Sequence, residues 1–164
     1  MTQRTLVIPD LILLNDYNGD FTKYFNAVYY IFEHDFIKSQ PKYESLNVTA
    51  PKYPEVDNYN HTFYHITHEG EDEESREPDM RRMERIRFPK FYINNASHNE
   101  ILIWENTRGK NTRVLLFNET ESYVVILTKR NGYYLLCTAY LIEQEHSKKK
   151  MLKEYETYIK AKTA

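Results

Sequence analysis

The chain has 164 residues, a net charge of −2 and an apolar content of 41% that includes 15 tyrosines and 8 phenylalanines. This length allows one domain with a buried core, and the small negative charge excludes a protein that is drawn to nucleic acid by its overall field. No apolar run reaches the roughly 20 residues of a membrane-spanning helix, and the single Cys137 excludes an internal disulfide. We therefore expect one cytoplasmic domain, residues 1–164, with no membrane partner.

The N-terminal part predicts a helix followed by an irregular arm. Asp20 follows a turn and is a good N-cap, because its carboxylate can accept hydrogen bonds from the free amides of a helix start. Apolar residues then recur at three- and four-residue spacing, which predicts an amphipathic helix over residues 20–38. Residues 41–60 contain three prolines among several tyrosines, and we expect them to form a long irregular arm.

The middle of the chain combines many charges with short stretches of regular structure. Residues 62–67 are rich in β-branched and aromatic side chains and predict a short strand. Residues 79–85 predict a helix in which Arg81 and Arg85 lie one turn apart on the same face. Residues 87–93 are interrupted by a proline and are expected to be extended.

The C-terminal half predicts a sheet over residues 101–138 and a closing helix over residues 142–160. Four runs rich in β-branched and aromatic residues are joined by short polar connections, one of which contains Asn131 and Gly132, a strong hairpin signal. Four such runs with tight connections form an antiparallel meander. The fold class is therefore α+β, with an N-terminal helix, an irregular arm, a four-stranded antiparallel meander sheet and a C-terminal helix.

Charge is unevenly distributed between residues 69 and 90. Residues 69–79 carry seven acids against one arginine, and residues 81–90 carry five bases against one glutamate. An exposed acidic loop that pairs with a basic helix explains this pattern, and so does a basic patch that carries a function.

Residue types and their spacing exclude some kinds of functional site and leave others possible. His61, His65 and His68 match no zinc-binding spacing, so no metal is expected, and no other cofactor either. Cys137 lies in an apolar run and is expected to be inert core. What remains is acid–base chemistry by His65, whose ordinary pKa is near neutrality, assisted by arginines, whose planar guanidiniums suit phosphate oxygens. RNA supplies its own nucleophile, the 2′-hydroxyl, so such a site needs no metal to cleave it.

A resemblance to a known family rests mainly on a motif-bearing region, residues 62–93. The segments that carry it are FYHITHEG at residues 63–70 and REPDMRRMERIRFPK at residues 76–90. On these segments the chain resembles phage- and prophage-encoded nuclease-like proteins of the barnase–EndoU–colicin–RelE superfamily, and the likeness extends from about residue 25 to residue 158. The resemblance implies a single nuclease-like domain with an N-terminal helical part and a four-stranded antiparallel sheet.

The resemblance also implies an activity and its residues. The protein would be a small metal-independent endoribonuclease that cleaves RNA through attack of the 2′-hydroxyl, acting as a toxin, a phage factor or an anti-phage effector. A cognate antitoxin or inhibitor protein would be a second partner. His65 would be the acid–base residue, Arg81 and Arg85 would bind the scissile phosphate, and Thr138 would be a further polar contact. Supporting or substrate-binding roles would fall to Arg76, Asp79, Arg82, Glu84 and Arg87.

Two alternatives from other functional classes remain open. One is a non-catalytic module that holds RNA or an acidic partner protein through the arginine patch. The other is a phage regulatory or inhibitory protein whose acidic loop, residues 71–74, mimics nucleic acid. An acidic loop lying across the groove would repel RNA, so its position distinguishes these alternatives from a nuclease.

Overall fold

The computed structural model describes residues 4–70 and 76–163. Its α-helices are α1 (Phe21–Phe32), α2 (His61–Thr67), α3 (Met80–Glu84), α4 (Phe88–Asn94) and α5 (Glu145–Thr163). A 3₁₀ turn, Leu14–Tyr17, precedes α1, and a π-helical turn, Glu33–Ile37, continues it. The strands are β1 (Lys42–Tyr43), β2 (Leu46–Thr49), β3 (His68–Glu69), β4 (Glu77–Pro78), β5 (Leu102–Arg108), β6 (Asn111–Asn118), β7 (Tyr123–Lys129) and β8 (Tyr134–Leu141).

Six strands form one mixed sheet in the order β1-β2-β8-β7-β6-β5, and β3 pairs with β4 separately. Strands β5 to β8 are the four predicted runs, and consecutive members pair antiparallel. The prediction of a four-stranded meander sheet is nevertheless wrong, because β2 joins β8 in parallel and β1 joins β2 antiparallel. The fold is α+β, with a larger sheet than the sequence predicted.

The two added strands come from residues 41–60, which were expected to be irregular throughout. Val48 in β2 aligns with Tyr134 and is fully buried, and its amide donates to the Pro41 carbonyl at 2.9 Å. Strands of two and four residues are too short for an alternation of polar and apolar residues to be recognised. Their pairing is therefore decided by contact with β8 and not by the local sequence.

Helix α1 begins where the sequence predicts. The Asp20 carboxylate accepts a hydrogen bond from the Lys23 amide at 3.1 Å. The buried residues of α1 are Tyr24, Phe25, Val28 and Phe32. This spacing of three and four residues is the predicted amphipathic stripe, and it faces the sheet core.

Residues 62–67 lie in helix α2, so the strand predicted there is wrong. The Asn60 side chain caps the helix by accepting a hydrogen bond from the Phe63 amide at 3.0 Å. Phe63, Ile66 and Thr67 are spaced three and four residues apart and are all buried, and the Phe63 ring contacts aromatic rings of α1. Packing of this helical stripe overrides the β propensity of the segment.

Helices α3 and α4 follow each other closely. The helix predicted over residues 79–85 is confirmed as α3, with Asp79 as its N-cap. Residues 87–93, which were predicted to be extended, form α4 instead. Pro89 lies in the first turn of α4, where a missing amide costs no hydrogen bond, and the apolar residues that follow it are buried against the sheet.

Both faces of the central sheet are covered. In β6, Val114 and Leu116 contact the core that α1 to α4 share, whereas Leu115 and Phe117 contact the core on the α5 side. The predicted closing helix is confirmed as α5, which covers the second face with half-buried apolar and aromatic residues. In the two described ranges no helix combines the length and the apolar composition that crossing a bilayer requires.

Candidate nucleic-acid interface

Helix α3 carries the predicted arginines and is fixed at its first residue. The Asp79 amide donates to the Thr67 carbonyl at 2.9 Å, and the Asp79 carboxylate accepts from the Arg82 amide at 3.2 Å. These bonds hold the start of α3 against the end of α2. The arginines of α3 are thereby placed next to the segment that contains His65.

The guanidinium of Arg82 connects several elements. Its Nη1 donates long hydrogen bonds to the carbonyls of His65 and His68, both at 3.4 Å, and its Nε lies 3.4 Å from the Asp79 carboxylate. Its Cζ lies 5.5 Å from the centroid of the Tyr140 ring in β8. Arg82 thus ties the C-terminal end of α2 to β8, and its donors are directed at protein atoms.

Glu84 lies between Arg81 and Arg85. Its Oε1 is 3.5 Å from Nη1 of each arginine. Arg85 Nη1 also donates to the Arg81 carbonyl at 3.1 Å, and the Arg85 Cζ lies 5.9 Å from the centroid of the Phe88 ring. The Arg81 side chain is 62% exposed. Arg85 is therefore held within its own helix, whereas Arg81 is open to solvent.

Arg76 and Arg87 are also directed at backbone carbonyls. Arg76 Nη1 donates to the His68 carbonyl at 3.4 Å, and its buried Nε has no hydrogen-bond partner among the described residues. Arg87 Nη1 donates to the Asp10 carbonyl at 3.1 Å, and its side chain lines a cavity between α1 and α4. Arg87 therefore faces a different part of the molecule from the α3 arginines.

His65 lies in the last turn of α2 and is partly buried. Burial, followed by the charges of Arg76, Arg82 and His61, lowers the pKa of His65 to about 4. The imidazole is therefore neutral at pH 7. It can accept a proton, but its basicity is well below the near-neutral pKa that suits acid–base catalysis.

Thr138 lines a cavity of about 280 Å³ between the sheet and α5, which we call the α5 cavity. Its charged lining consists of three cations and one carboxylate, a net charge of +2. These residues are Arg108, Arg113, Lys150 and Glu154, and further polar lining comes from Asn106, Thr138, Tyr140 and Ser147. The α5 cavity is thus a cationic cleft with several hydroxyl groups.

A short hydrogen-bond chain positions the groups of the α5 cavity. Glu154 Oε1 accepts from Trp104 Nε1 and from Asn106 Nδ2, both at 2.7 Å, and Asn106 Oδ1 accepts from Arg113 Nε at 3.0 Å. The carboxylate is therefore already engaged. Within residues 4–70 and 76–163, the terminal nitrogens of Arg113 form no hydrogen bond, and Arg108 forms no salt bridge. Both guanidiniums keep donors for a ligand.

A second cavity, of about 290 Å³, adjoins the first and shares Tyr140 and Ser147 with it; we call it the α3 cavity. Its charged residues are Glu69, Asp79, Arg81, Arg82 and Glu143. Among the described lining residues, three carboxylates outnumber two guanidiniums, which gives the α3 cavity a net charge of −1. Tyr140 lies at the junction: burial raises its pKa, while the charges of Arg113, Arg82 and Arg108 act to lower it.

The structure brings together only part of the predicted site. The predicted residues that line one of the two cavities are Asp79, Arg81, Arg82 and Thr138. Those that line neither are His65, Arg76, Glu84, Arg85 and Arg87. His65 is connected to the cavities through Arg82, whose Nη1 bonds its carbonyl and whose charge lowers its pKa.

No sequence pattern singled out Arg108, Arg113 or Lys150, although the sequence contains a signal. Residues 106–113 carry three bases and no acid, and residues 147–153 carry four bases and no acid. Arg113 precedes the buried Leu115 and Phe117 by two and four residues in β6. Its charged side chain therefore lies on a face of the strand that is otherwise apolar.

In the part of the chain that the structure describes, no group of three His, Cys, Asp or Glu residues is arranged to hold a metal ion. The acidic loop, residues 71–74, lies outside the described residues.

Compared with protein-family models, with curated proteins and with solved structures, the chain matches none. The assignment of a function therefore rests on the geometry of the site.

We expect Arg82→Lys to lower the free energy of unfolding by about 1.5 to 3 kcal/mol, because a lysine cannot replace the forked contacts to two carbonyls and a carboxylate. Arg81→Lys, one residue away and exposed, is the matched control and should stay within about 0.5 kcal/mol. Urea denaturation followed by circular dichroism measures both. Equal effects of the two changes would show that Arg82 does not hold α2 and β8 together.

We expect His65→Gln to reduce the loss of stability at acidic pH. The pKa of His65 falls from 6.5 in the unfolded chain to about 4 in the folded protein, so between these values only the unfolded state takes up the proton. The folded state therefore loses up to about 3 kcal/mol as the pH falls through this window. Urea denaturation at pH 7 and at pH 4.5 should show a smaller difference for the variant. The same difference in both proteins would mean that His65 titrates normally.

Proposed function

We propose that this protein binds single-stranded RNA, with phosphate oxygens held in the α5 cavity by Arg108, Arg113 and Lys150. One observation carries the proposal. Cations from β5, β6 and α5 line one cleft, and Glu154, the one carboxylate among the described residues that line it, is already engaged by two hydrogen bonds. The proposed place of action is the cytoplasm, where RNA is available.

The donor geometry suits a phosphodiester. Guanidinium groups bind phosphate oxygens through two parallel N–H donors, and hydrogen bonds between charged groups are about twice as strong as neutral ones. The side chains of Arg108 and Arg113 keep such donors, and the hydroxyls of Thr138 and Tyr140 line the same cleft.

The surroundings of the α5 cavity favour a polyanion over a single anion. Lys149 and Lys153 on α5 and Lys110 in the β5–β6 turn are exposed, so the basic surface extends beyond the cleft. The net charge of −2 does not oppose binding, because charges separated by more than about 10 Å are largely screened at 0.1 M salt. The net negative α3 cavity would repel phosphate, so the proposed path runs over α5 and the turn. The resemblance to nuclease-like proteins supports RNA as the polyanion.

We expect Arg113→Gln and Lys150→Gln each to weaken RNA binding about tenfold at low salt, since each removes one charge-assisted contact. Fluorescence anisotropy with a labelled single-stranded RNA measures the affinity. The slope of log affinity against log salt concentration should decrease by about 0.7 for each variant, as one phosphate contact is lost.

Lys160→Gln is the matched control for these variants. It removes the same charge from the same helix, but Lys160 does not line the α5 cavity, so its effect should be under about twofold. If Arg113→Gln, Lys150→Gln and Lys160→Gln weaken binding equally, only the overall charge matters and the assigned cleft is wrong. If the protein binds an acidic protein but no RNA, the proposed function is wrong.

Cleavage of the bound RNA is the second candidate function, favoured by one contact. Arg82 lies on the Tyr140 ring at the junction of the two cavities and also beside His65. In such a reaction the neutral imidazole takes the 2′-hydroxyl proton and the freed oxygen attacks the adjacent phosphorus. The bond from phosphorus to the 5′-oxygen then breaks, leaving a 2′,3′-cyclic phosphate and, after protonation, a 5′-hydroxyl.

We expect any cleavage by the wild-type protein to continue in the presence of EDTA and to fall at least a hundredfold in His65→Ala, the typical contribution of a general base. RNA binding by His65→Ala should remain intact. Gel analysis of labelled RNA measures scission, and His146→Ala, a change at an exposed histidine of α5, is the control. If the wild-type protein binds RNA tightly and leaves it uncut, the catalytic roles of His65, Arg81, Arg85 and Thr138 are wrong and binding is the whole function.

A further inference from the structure

A cavity of about 540 Å³ lies on the face of the molecule opposite α5, between the end of α1 and helix α4. The π-helical turn Glu33–Ile37 contributes to its wall, and we call it the π-turn cavity. Two aromatic rings, Tyr30 and Phe91, and four charged or titratable side chains, His34, Asp35, Arg87 and Lys90, line it. Neither RNA binding at α5 nor the chemistry of His65 uses any of these groups.

The π-helical turn is a departure from regular structure at this cavity. The Lys38 amide donates to the Glu33 carbonyl, five residues earlier, at 2.8 Å. Such turns are rare and are frequently found at functional sites, since the wider turn displaces the side chains that it carries. Here it carries His34 and Asp35, and both line the cavity.

Asp35 lacks hydrogen-bond donors. Its side chain is 18% exposed, and the nearest cationic atom, Lys90 Nζ, lies 3.9 Å from Oδ1, which is beyond hydrogen-bond distance. Within the described ranges no group donates a hydrogen bond to this carboxylate. Burial raises the pKa of Asp35 in spite of the opposing charges of Lys90, Arg87 and His34. The Asp35 carboxylate therefore keeps acceptor capacity at the cavity for the donors of a ligand.

Lys90 and Arg87 keep donors that complement the Asp35 carboxylate. Among the described residues, Lys90 Nζ forms one long hydrogen bond, to Ser39 Oγ at 3.4 Å, and Arg87 donates through Nη1 alone, to the Asp10 carbonyl. Because the Asp35 oxygen and the Lys90 nitrogen lie 3.9 Å apart, a ligand that binds both presents a hydrogen-bond donor next to an acceptor on one edge. The flanking rings of Tyr30 and Phe91 suit a flat ligand with an apolar face.

We propose that the π-turn cavity binds a guanine mononucleotide. Asp35 accepts from N1–H and the exocyclic N2–H of the base, Lys90 donates to O6, and Arg87 binds the phosphate. Guanine offers two adjacent N–H groups beside a carbonyl, which matches a carboxylate beside an ammonium. Adenine offers one amino group beside a bare ring nitrogen and so satisfies Asp35 with a single donor. The cavity volume lies within the range of small-molecule sites.

Isothermal titration calorimetry of the full chain with guanosine monophosphate tests the proposal, with adenosine monophosphate and inorganic phosphate as comparison ligands. We expect the guanine nucleotide to bind at least about tenfold more tightly than the adenine nucleotide, and inorganic phosphate to compete only weakly. Equal affinity for the two nucleotides, or for phosphate alone, would overturn the proposal.

Substitutions of residues that line the π-turn cavity test nucleotide binding independently of RNA binding at the α5 cavity. Asp35→Asn should weaken guanosine monophosphate binding at least about tenfold, whereas Glu33→Gln, the same change of charge in the same turn but outside the cavity, should not. Tyr30→Ala removes a ring that is 58% exposed, so it leaves the fold intact, and it should weaken binding about fivefold or more through lost stacking. Unchanged affinity in both Asp35→Asn and Tyr30→Ala would place the nucleotide elsewhere. Arg113→Gln should leave nucleotide binding unchanged, so failure of either site is recognised independently of the other.

Discussion

One oxygen atom, Glu154 Oε1, joins the fold of the C-terminal half to its candidate function. It accepts short hydrogen bonds from Trp104 and Asn106, and a single carboxylate oxygen with two N–H donors is fixed in both position and orientation. Helix α5 has no fully buried residue among those described. It lies on the sheet through half-buried apolar residues, among them Tyr155, whose ring contacts Trp104, and through this polar contact. Asn106 then accepts from Arg113 Nε, which leaves the terminal nitrogens of that guanidinium without a partner among the described residues. One of the contacts between the helix and the sheet therefore also positions a cation of the cleft.

Arg82 and Arg85 differ from Arg108 and Arg113 in the atoms that their N–H groups contact. This difference determines which of them can readily donate hydrogen bonds to a phosphate. Arg82 and Arg85 donate to backbone carbonyls and lie beside carboxylates, so Nη1 of each is already engaged by the protein. Arg108 and Arg113 line the α5 cavity with Lys150, and in the described part of the chain their terminal nitrogens have no hydrogen-bond partner, so both can donate to a phosphate. A guanidinium that must release a carbonyl before binding a phosphate gains less than one that is free. Sequence position in a charged motif does not reveal this difference, because it depends on which carbonyls the fold brings within reach.

Local patterns in the sequence predict the parts of the fold that are built from long periodic segments. The stripe of α1 and the four runs of the meander are of this kind, and the Asp20 cap is predicted directly from residue type. Helix α2 could not be predicted in this way, since its β-rich composition is outweighed by the Asn60 cap and by burial of Phe63 among the α1 rings. The arginines of the α5 cavity come from separate segments that only the β5–β6 register and the path of α5 bring together. The sequence signal for such a site is a charged residue on the strand face whose other residues are apolar, as at Arg113.

The magnitude of the His65 pKa shift bears on whether RNA bound at α5 would be cut. Raising that pKa from about 4 to near neutrality requires close to three pH units, or about 4 kcal/mol. A phosphate charge in direct contact, about 4 Å away at an effective dielectric constant of 20, supplies about that much. His65 does not line the α5 cavity, and a phosphate on the order of 10 Å from the imidazole supplies less than about 2 kcal/mol before salt screening. The imidazole then remains a weak base. A second phosphate held against His65 itself would be required. The low pKa of His65 therefore favours holding RNA in the α5 cavity over cleaving it.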